Sequence, residues 1–442
     1  MPVPPVRPST DVGILLLRHG YGFSSVLRGR SGIGSASAAP VLEIRLGGAP
    51  VVLLGGPEGV RAFTDTARFA RGEATPAPLA RVLLGRGAVH GLDDEEHRRR
   101  KELFVQALDT RAVDGLVADV SRRWLELVAT LEEGSTLPVQ RTSARLVGRA
   151  VLEWAGVLVP DHEADDIADR FATVVDGFGV VGPAFVRAAT ARRRSDRWAA
   201  DVVHRARSGA PHPPAGSALE AVARWRGPDG DLLDAHTAGV ELQNILRPTV
   251  AVSRLVAFAA RTLVTEPRWR GVLRTEYAEG RSALSEGHRG VHATAFAREV
   301  RRLAPFVPLL AARSRTDQTV LGVHVPARRR VLLDVVGTLR DPDQWPDPLS
   351  FDPARFLGDR HVVADALVPQ GGGSVANGHR CPGEDPALGI LASSATALSL
   401  VAESPVGPVR PVRERRLPAD PGRGVPVRVG MVPARVAART PG

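Results

Sequence analysis

The sequence contains the stretch Gln370-Gly-Gly-Gly-Ser-Val-Ala-Asn-Gly-His-Arg-Cys-Pro-Gly-Glu384, with the only cysteine among 442 residues, Cys381. A lone cysteine cannot form an internal disulfide or a multi-cysteine zinc site. A glycine-rich loop precedes it, and Pro382 is well placed at the first position of a helix. The pattern predicts a loop-to-helix junction, where backbone N–H groups favour a thiolate. A buried structural cysteine is the alternative.

The composition is that of a globular protein with a large core, with 43% hydrophobic and 24% charged residues. The length allows one large domain or two to three small ones. We find no apolar run of about eighteen residues and no basic-then-apolar leader, so we expect a cytoplasmic protein without a membrane span. The net charge of +10 comes almost wholly from arginine, since Lys101 is the only lysine. Acidic residues lie between the arginines and aromatic residues are only 5%, so nucleic acid is not an expected partner.

The ends of the chain are rich in Pro, Gly, Ser and Arg. Residues 1–40 predict an N-terminal arm with one short helix, and residues 404–442 a tail with a possible hairpin at 425–432. After the arm, two apolar runs around Gly47-Gly48 predict a hairpin, followed by a helix with Pro57 in its first turn. The basic, then Pro-rich segment 187–214 is interpreted as a surface connection.

A charged helix is predicted to begin near Asp93 or Asp94, either of which can cap it. His97, Arg100 and Lys101 lie three and four residues apart and therefore share one helical face. A solvated charged face is the simple alternative to a binding surface. His90 precedes this helix in an apolar setting, where a lone histidine is usually structural.

The longest apolar-periodic segment, residues 231–265, predicts a central helix that Arg247-Pro248 interrupts. A proline inside a helix costs about 3 kcal/mol, and a charge in so apolar a stretch is also costly unless paired. Two costly neighbours favour a functional kink. An Arg247 paired with an internal glutamate is the alternative.

Two further patterns are weaker. Residues 171–183 are apolar and rich in glycine, so Val175 and Phe178 could line a channel for an acyl chain, although core packing explains them equally well. Glu299 and Arg302 lie three apart on a predicted helix and can pair along one face.

The run Gly378-His-Arg-Cys-Pro-Gly-Glu384 resembles the haem-ligand loop of cytochromes P450. More narrowly, it resembles the peroxide-using fatty-acid peroxygenases of that superfamily. Ser374 and Asn377 stand where the general pattern has Phe and Gly, whereas the three glycines match the peroxygenase variant. The run Gln243-Asn-Ile-Leu-Arg-Pro-Thr249 also matches the peroxygenase pattern. The spacing from Glu299 to Phe356 resembles that of the structural triad of the whole superfamily. The resemblance implies one cytochrome P450 domain over 1–442, mainly α with small β-sheets, with haem between a long central helix and the Cys-loop helix.

The resemblance also implies roles for individual residues. Arg247, with Pro248, would hold a substrate carboxylate, and His90 would lie above the haem, where hydroxylating members commonly carry Gln and the alkene-forming member His. Cys381 would ligate the iron of haem b. The other implied cofactor-binding residues are His97, Arg100, Lys101, His379 and Gly373. The implied substrate-lining residues are Leu84, Val175, Phe178 and Gly179. The implied structural triad is Glu299, Arg302 and Arg355.

The implied activity is hydrogen peroxide-dependent hydroxylation of long-chain fatty acids at the α or β carbon, with possible decarboxylation to terminal alkenes and no obligatory redox partner. Most cytochromes P450 place an acid–alcohol pair on the central helix. Glu241 resembles the acid, but Leu242 follows where Thr is needed. The alternatives are a conventional monooxygenase that uses redox partners and a non-acid substrate, and a non-catalytic haem sensor.

Overall fold

The computed structural model describes residues 11–209, 212–284, 289–358, 362–363, 365–422 and 424–432. The helices within these ranges are α1 (Val12–His19), α2 (Phe23–Arg30), α3 (Gly56–Thr64), α4 (Ala77–Leu83), α5 (Asp94–Ala107), α6 (Thr110–Thr130), α7 (Val139–Trp154), α8 (Asp161–Gly177), α9 (Pro183–Ser208), α10 (Ala218–Arg224), α11 (Ala235–Thr265), α12 (Pro267–Ala278), α13 (Val291–Leu303), α14 (Val335–Leu339) and α15 (Glu384–Val401). Short 3-10 turns occupy Gly20–Gly22, Val89–Gly91 and Pro353–Phe356.

The strands form small sheets, as predicted. They are β1 (Val41–Leu46), β2 (Ala49–Leu54), β3 (Phe69–Ala70), β4 (Thr136–Pro138), β5 (Leu309–Ser314), β6 (Gln318–Val320), β7 (Val323–Val325), β8 (Arg330–Asp334), β9 (Ala402–Pro405) and β10 (Pro426–Val429). The five-stranded sheet has the order β1-β2-β8-β5-β3, with β2 parallel to β8 and the other pairs antiparallel. The predicted hairpin is therefore confirmed as β1–β2.

The central helix is α11, which packs against α7, α9 and α15. Asp234 caps it by accepting a hydrogen bond from the Thr237 N–H at 3.0 Å. The helix runs through Pro248 without ending, and most of its length is buried. α15 follows the Cys381 loop, as predicted, and is buried almost throughout. These two helices form the frame of the candidate site.

Three sequence predictions about connections are wrong. The N-terminal arm contains two helices, α1 and α2, because Leu15, Phe23 and Leu27 pack against the β1–β2 hairpin. Residues 425–432 contain one strand, β10 (Pro426–Val429), which pairs with β4 and β9 instead of closing a local hairpin. Residues 1–10 of the arm and 433–442 of the tail lie outside the described ranges.

The third correction concerns residues 187–214, which are mostly helical. α9 runs from Pro183 to Ser208, with Pro in its first turn and Gly209 in the left-handed region after its end. Its buried side is made mostly of small residues, so the hydrophobic contrast along the segment is weak. No helix in the described part of the chain has the length and apolarity needed to cross a membrane.

Candidate active site

The Cys381 loop is held by Gln370. The Cys381 N–H donates to the Gln370 carbonyl at 3.1 Å, and Gln370 Nε2 lies 3.7 Å from Cys381 Sγ. Burial raises the pKa of the Cys381 thiol, yet the residue remains partly accessible. α15 begins at Glu384 with Gly383 as N-cap, so Pro382 precedes the helix and is not its first residue.

A buried arginine of α13 stabilises this loop from behind. Arg301 Nη2 donates to Gln370 Oε1 at 2.6 Å and to Glu384 Oε1 at 2.7 Å. Arg301 is only 2% exposed. The sequence analysis missed this residue because it considered only its neighbours Glu299 and Arg302.

The glycines of the loop are needed for close packing on α3. A Cβ on Gly372 would lie 2.6 Å from Val60 Cγ1, and one on Gly373 would lie 2.9 Å from Thr64 Cβ. Gly373 also has φ of +77°, which favours glycine. The close approach is therefore to α3, and cofactor contact by Gly373 stays a prediction.

Two residues of α5 face the Cys381 loop. Lys101 Nζ donates to the carbonyls of Gly378 and Arg380, the latter at 2.8 Å. The His97 ring stacks on the His379 ring with centroids 3.9 Å apart. His97 and Lys101 are 5% and 4% exposed, so the solvated-face alternative is wrong. Burial lowers the pKa of Lys101 to about 8.

Arg100 stands apart from this group although it shares the helix. Its Nη1 lies 3.0 Å from Glu241 Oε1, and both side chains are buried. Glu241 also accepts from the Val89 N–H at 2.8 Å and from Asn244 Nδ2 at 3.2 Å. The structure thus pairs Arg100 with α11 instead of grouping it with the predicted cofactor-binding residues. This pairing also overturns the alternative in which an internal glutamate pairs with Arg247.

Asp93 is the N-cap residue of α5, but its carboxylate does not cap the helix. It accepts from the N–H groups of Arg71 and Gly72 at 2.7 and 2.8 Å. Arg71 lies near His97 and His379: burial is the main cause of the lowered pKa of both imidazoles, and the charge of Arg71 lowers each pKa further. The sequence analysis gave Arg71 no role.

Arg247 has only neutral acceptors. The side chain is 3% exposed, and its Nη1 donates to the Leu83 carbonyl while Nη2 donates to Asn244 Oδ1 at 2.8 Å. It makes no salt bridge within the residues that the structure describes. Burial, and then the positive charge of Arg192, hold its pKa well below the usual value.

His90 lies in the 3-10 turn between α4 and α5, near Arg247. Burial lowers its pKa to about 4, with further contributions from Arg247 and His97. The residue is nevertheless accessible. Because the charge of Arg247 contributes to this shift, the structure brings His90 and Arg247 to the same region.

The predicted substrate-lining residues lie around the ends of α4 and α8. Phe178 is buried in an apolar cluster with Val82, Val174, Ala188 and Ala191. Val175 is buried beside it, and Leu84 is half-buried at the end of α4. A Cβ on Gly179 would lie 2.6 Å from the Leu417 carbonyl oxygen, so this glycine packs against the C-terminal loop.

The structure brings Glu299, Arg302 and Arg355 together, as the resemblance implies. Arg302 Nε and Nη2 donate to the Glu299 carboxylate, each at 2.7 Å. Arg355 Nε lies 3.4 Å from Glu299 Oε1. Glu299 and Arg302 are fully buried.

Comparison with known proteins agrees with this geometry. The profile of the family described as "Cytochrome P450" matches residues 293–388, which include the triad helix and the Cys381 loop. The structure of a variant of cytochrome P450SP alpha (CYP152B1) superposes with a TM-score of 0.85; it is 33% identical, and 95% of this chain and 98% of that chain are covered. The chain belongs to the cytochrome P450 family. The predicted family and fold are confirmed.

The names of other relatives of this cytochrome P450 record different ligands and activities. A variant of cytochrome P450 OleT in complex with arachidonic acid gives a TM-score of 0.85 at 27% identity, covering 96% of this chain and 98% of that one. Cyclooctat-9-en-7-ol 5-monooxygenase from Streptomyces melanosporofaciens is 27% identical over 84% of this chain and 83% of its own length. The structural and sequence relatives therefore include both an acid-binding protein and a monooxygenase.

The residues around Cys381 fit the haem-thiolate cofactor that the family implies. The thiol of Cys381 is partly accessible and receives an N–H from Gln370. Cationic or ionisable groups of Lys101, His97 and Arg71 lie near the Cys381 loop and suit the two carboxylates of a haem. The donor set of one thiol and nearby cations matches this cofactor.

Proposed function

We propose that this cytochrome P450 is a peroxygenase that uses hydrogen peroxide to oxidise long-chain fatty acids at the α or β carbon, with decarboxylation to a terminal alkene as a second outcome. The observation that carries the proposal is Arg247. It is a buried guanidinium in the central helix whose hydrogen-bond acceptors are both neutral.

The charges around Arg247 favour a monoanionic ligand. Arg192 pairs with Asp196 at 2.8 Å, and Arg100 pairs with Glu241 at 3.0 Å. Arg247 is thus the one excess positive charge of this group, and a buried charge is costly unless it is paired. A carboxylate would neutralise it and could accept two parallel N–H bonds, which are stronger than neutral ones.

The Leu83 carbonyl and Asn244 fix the position of the Arg247 guanidinium, so the anchored carboxylate would also have a defined position. The first carbons of the acyl chain would then be held at a constant distance from Cys381. Positioning of this kind accounts for oxidation next to the carboxyl group. The rest of the chain would enter the apolar cluster that contains Phe178.

Cys381 would hold the iron of haem b, and Arg71, His97 and Lys101 would pair with its propionates. A thiolate-ligated haem, when bound, supplies the chemistry that cleaves the O–O bond and oxidises a C–H bond. The role of this chain is to hold the thiolate, through Gln370 and the Gly383 backbone, and to place the substrate on the opposite side.

Cleavage of peroxide also needs a group that moves a proton. Glu241 accepts three hydrogen bonds from Val89, Arg100 and Asn244, and Leu242 has no hydroxyl, so α11 offers no acid–alcohol pair at this point. We assign the proton transfer to the substrate carboxylate held by Arg247. A non-acid substrate would lack this group, and no redox partner is required.

His90 would influence the outcome after the first oxidation step. Its lowered pKa keeps the ring neutral near pH 7, so it can donate or accept a hydrogen bond there without carrying charge. The resemblance associates histidine at this position with alkene formation. The relatives support an acid substrate, since the names of two neighbours record arachidonic acid and (R)-ibuprophen, both carboxylic acids.

The test is product analysis of purified haem-loaded protein with a long-chain fatty acid and hydrogen peroxide, without a reductase. We expect 2- or 3-hydroxy acids or terminal alkenes, and near-complete loss of them in Arg247→Ala. Turnover only with a ferredoxin system and a non-acid substrate would overturn the proposal and identify a conventional monooxygenase, as one relative's name suggests. A haem spectrum without turnover in either system would indicate a sensor.

A further inference from the structure

Arg192 of α9 is a second buried guanidinium at this site, and its donors are largely unused. Arg192 is 2% exposed. Its Nε donates to Asp196 Oδ1 at 2.8 Å, but Nη1 and Nη2 have no hydrogen-bond partner among the described residues. A buried donor without an acceptor is costly, so a guanidinium with two free terminal nitrogens points to a missing acceptor.

The position of Arg192 relates it to Arg247 through one short segment. A Cβ on Gly85 would collide with Arg192 Nη2 and Val240 Cγ1, so the guanidinium lies against the Gly85 backbone. Two residues earlier, the Leu83 carbonyl accepts from Arg247. Both guanidiniums therefore contact the end of α4, and the charge of Arg192 acts on both Arg247 and His90.

The neighbours of Arg192 along α9 connect it to the apolar cluster. Ala188 and Ala191, which precede it on the same buried side, pack in that cluster with Phe178. Asp196, one turn later, binds Gln243 of α11 at 2.9 Å. A ligand with an acidic head and an apolar tail would thus find both parts of its environment along one helix.

We propose that Arg192 is a second carboxylate-binding residue of this site, and that its free terminal nitrogens donate to the same carboxylate that Arg247 holds. This inference rests on the proposed function and deepens it. It also specifies the ligand class. Because Asp196 neutralises one of the two guanidiniums, the pair carries one net positive charge and matches a monoanionic head group in preference to a neutral one.

The inference is tested by titrating haem-loaded protein with tetradecanoic acid and with 1-tetradecanol, following the haem absorbance. Arg192→Gln should weaken binding of the acid by about tenfold or more, since a hydrogen bond to a charged group is lost, and should change alcohol binding by less than about twofold. Arg192→Lys, which keeps the charge but loses the planar fork, should fall between.

Arg207→Gln is the matched control. Arg207 lies on the same helix, fifteen residues further along, donates to the Ala223 carbonyl, and also has an unpartnered terminal nitrogen. Its replacement should leave the ratio of acid to alcohol affinity unchanged. Asp196→Asn should act in the opposite direction and tighten acid binding severalfold, so the inference can be tested even if Arg192→Gln does not fold.

The outcomes separate this inference from the proposed function. A wild-type protein that binds the acid no better than the alcohol contradicts the proposed function itself. A wild-type protein that prefers the acid, with Arg192→Gln, Arg192→Lys and Asp196→Asn all keeping that preference within about twofold, overturns only the role of Arg192.

Discussion

Two clusters of buried arginine differ in how completely the protein itself satisfies them. In the triad, Arg302 uses all five N–H donors, two on Glu299 and the others on the carbonyls of Leu339, Pro348 and Ser350. Beside the central helix, Arg192 uses one donor, and Arg247 has no acidic partner within the described residues.

The difference separates scaffold from binding site. A guanidinium whose donors all meet internal acceptors cannot bind a ligand without breaking bonds of the fold. One with free donors costs about 1–3 kcal/mol for each buried group left unpaired, so its retention suggests an external acceptor. Sequence composition alone does not make this distinction, because both clusters consist of arginines.

The largest effect on stability should follow from breaking the triad, in which Arg302 has no unused donor. Glu299→Gln keeps the shape but leaves Arg302 and Arg355 buried without a counter-charge, and removing one partner of a buried pair costs about 3–5 kcal/mol. We expect a large fall in the thermal midpoint and in the yield of soluble haem-loaded protein. Glu58→Gln, at an exposed position of α3, is the control. An unchanged midpoint for Glu299→Gln would contradict the scaffold assignment.

The opposite pattern is expected for Arg192 and Arg247 beside the central helix. Arg247→Met fills similar space without charge and breaks no salt bridge within the described residues, so the thermal midpoint should stay the same or rise. Peroxide-driven turnover of fatty acids should fall by about 10²-fold or more, as when a preorganised charge-stabilising donor is removed. Measuring both quantities on one preparation sharpens the comparison. A destabilised but active variant would place Arg247 in the scaffold.

Local patterns in the sequence sufficed for the features that are local in the structure. The Cys381 loop, the β1–β2 hairpin and the Glu299–Arg302 pair each depend on residues close in sequence. The pairing of Arg100 with Glu241 joins residues 141 positions apart, so helical spacing could only show that Arg100 shares a face with His97. The three residues do share one face of α5, but the spacing could not show that His97 and Lys101 contact the Cys381 loop while Arg100 contacts α11.

Arg192 was missed for a different reason. α9 has many arginines on its outer side, and its buried side is built from residues such as Ala188, Ser195 and Ala199, so the contrast in hydrophobicity is small. The signals that were present were Pro183 at the start, Gly209 at the end, and small residues at helical spacing between them. A buried charge inside such a stripe becomes apparent only when the packing is known.

An intermediate effect is expected for Glu241, which belongs to the scaffold although it lies on the central helix. Glu241→Gln leaves Arg100 without its counter-charge and should cost about 3 kcal/mol, seen as a lower thermal midpoint. Peroxide-driven turnover per folded haem protein should change by less than about threefold, because the proposed proton carrier is the substrate. A profound loss of turnover without a change in midpoint would instead make Glu241 an acid of the reaction.

The smallest effect is expected at His90, whose pKa is about 4 instead of its ordinary 6.5 because the surrounding protein desolvates the ring and the charge of Arg247 acts on it, although the residue is accessible. The unfolded chain binds the proton first as the pH falls, so His90 contributes stability above pH 6.5 that is lost progressively toward pH 4. His90→Gln removes this linkage, and the difference between the thermal midpoints at pH 7 and pH 5 should become smaller. His204→Gln, at an exposed position of α9, should leave that difference unchanged. In His90→Gln the products should also shift from alkene toward hydroxy acid. An unchanged pH difference would mean that the pKa of His90 is the same in the folded and the unfolded protein, and the lowered pKa assigned to this site would be wrong.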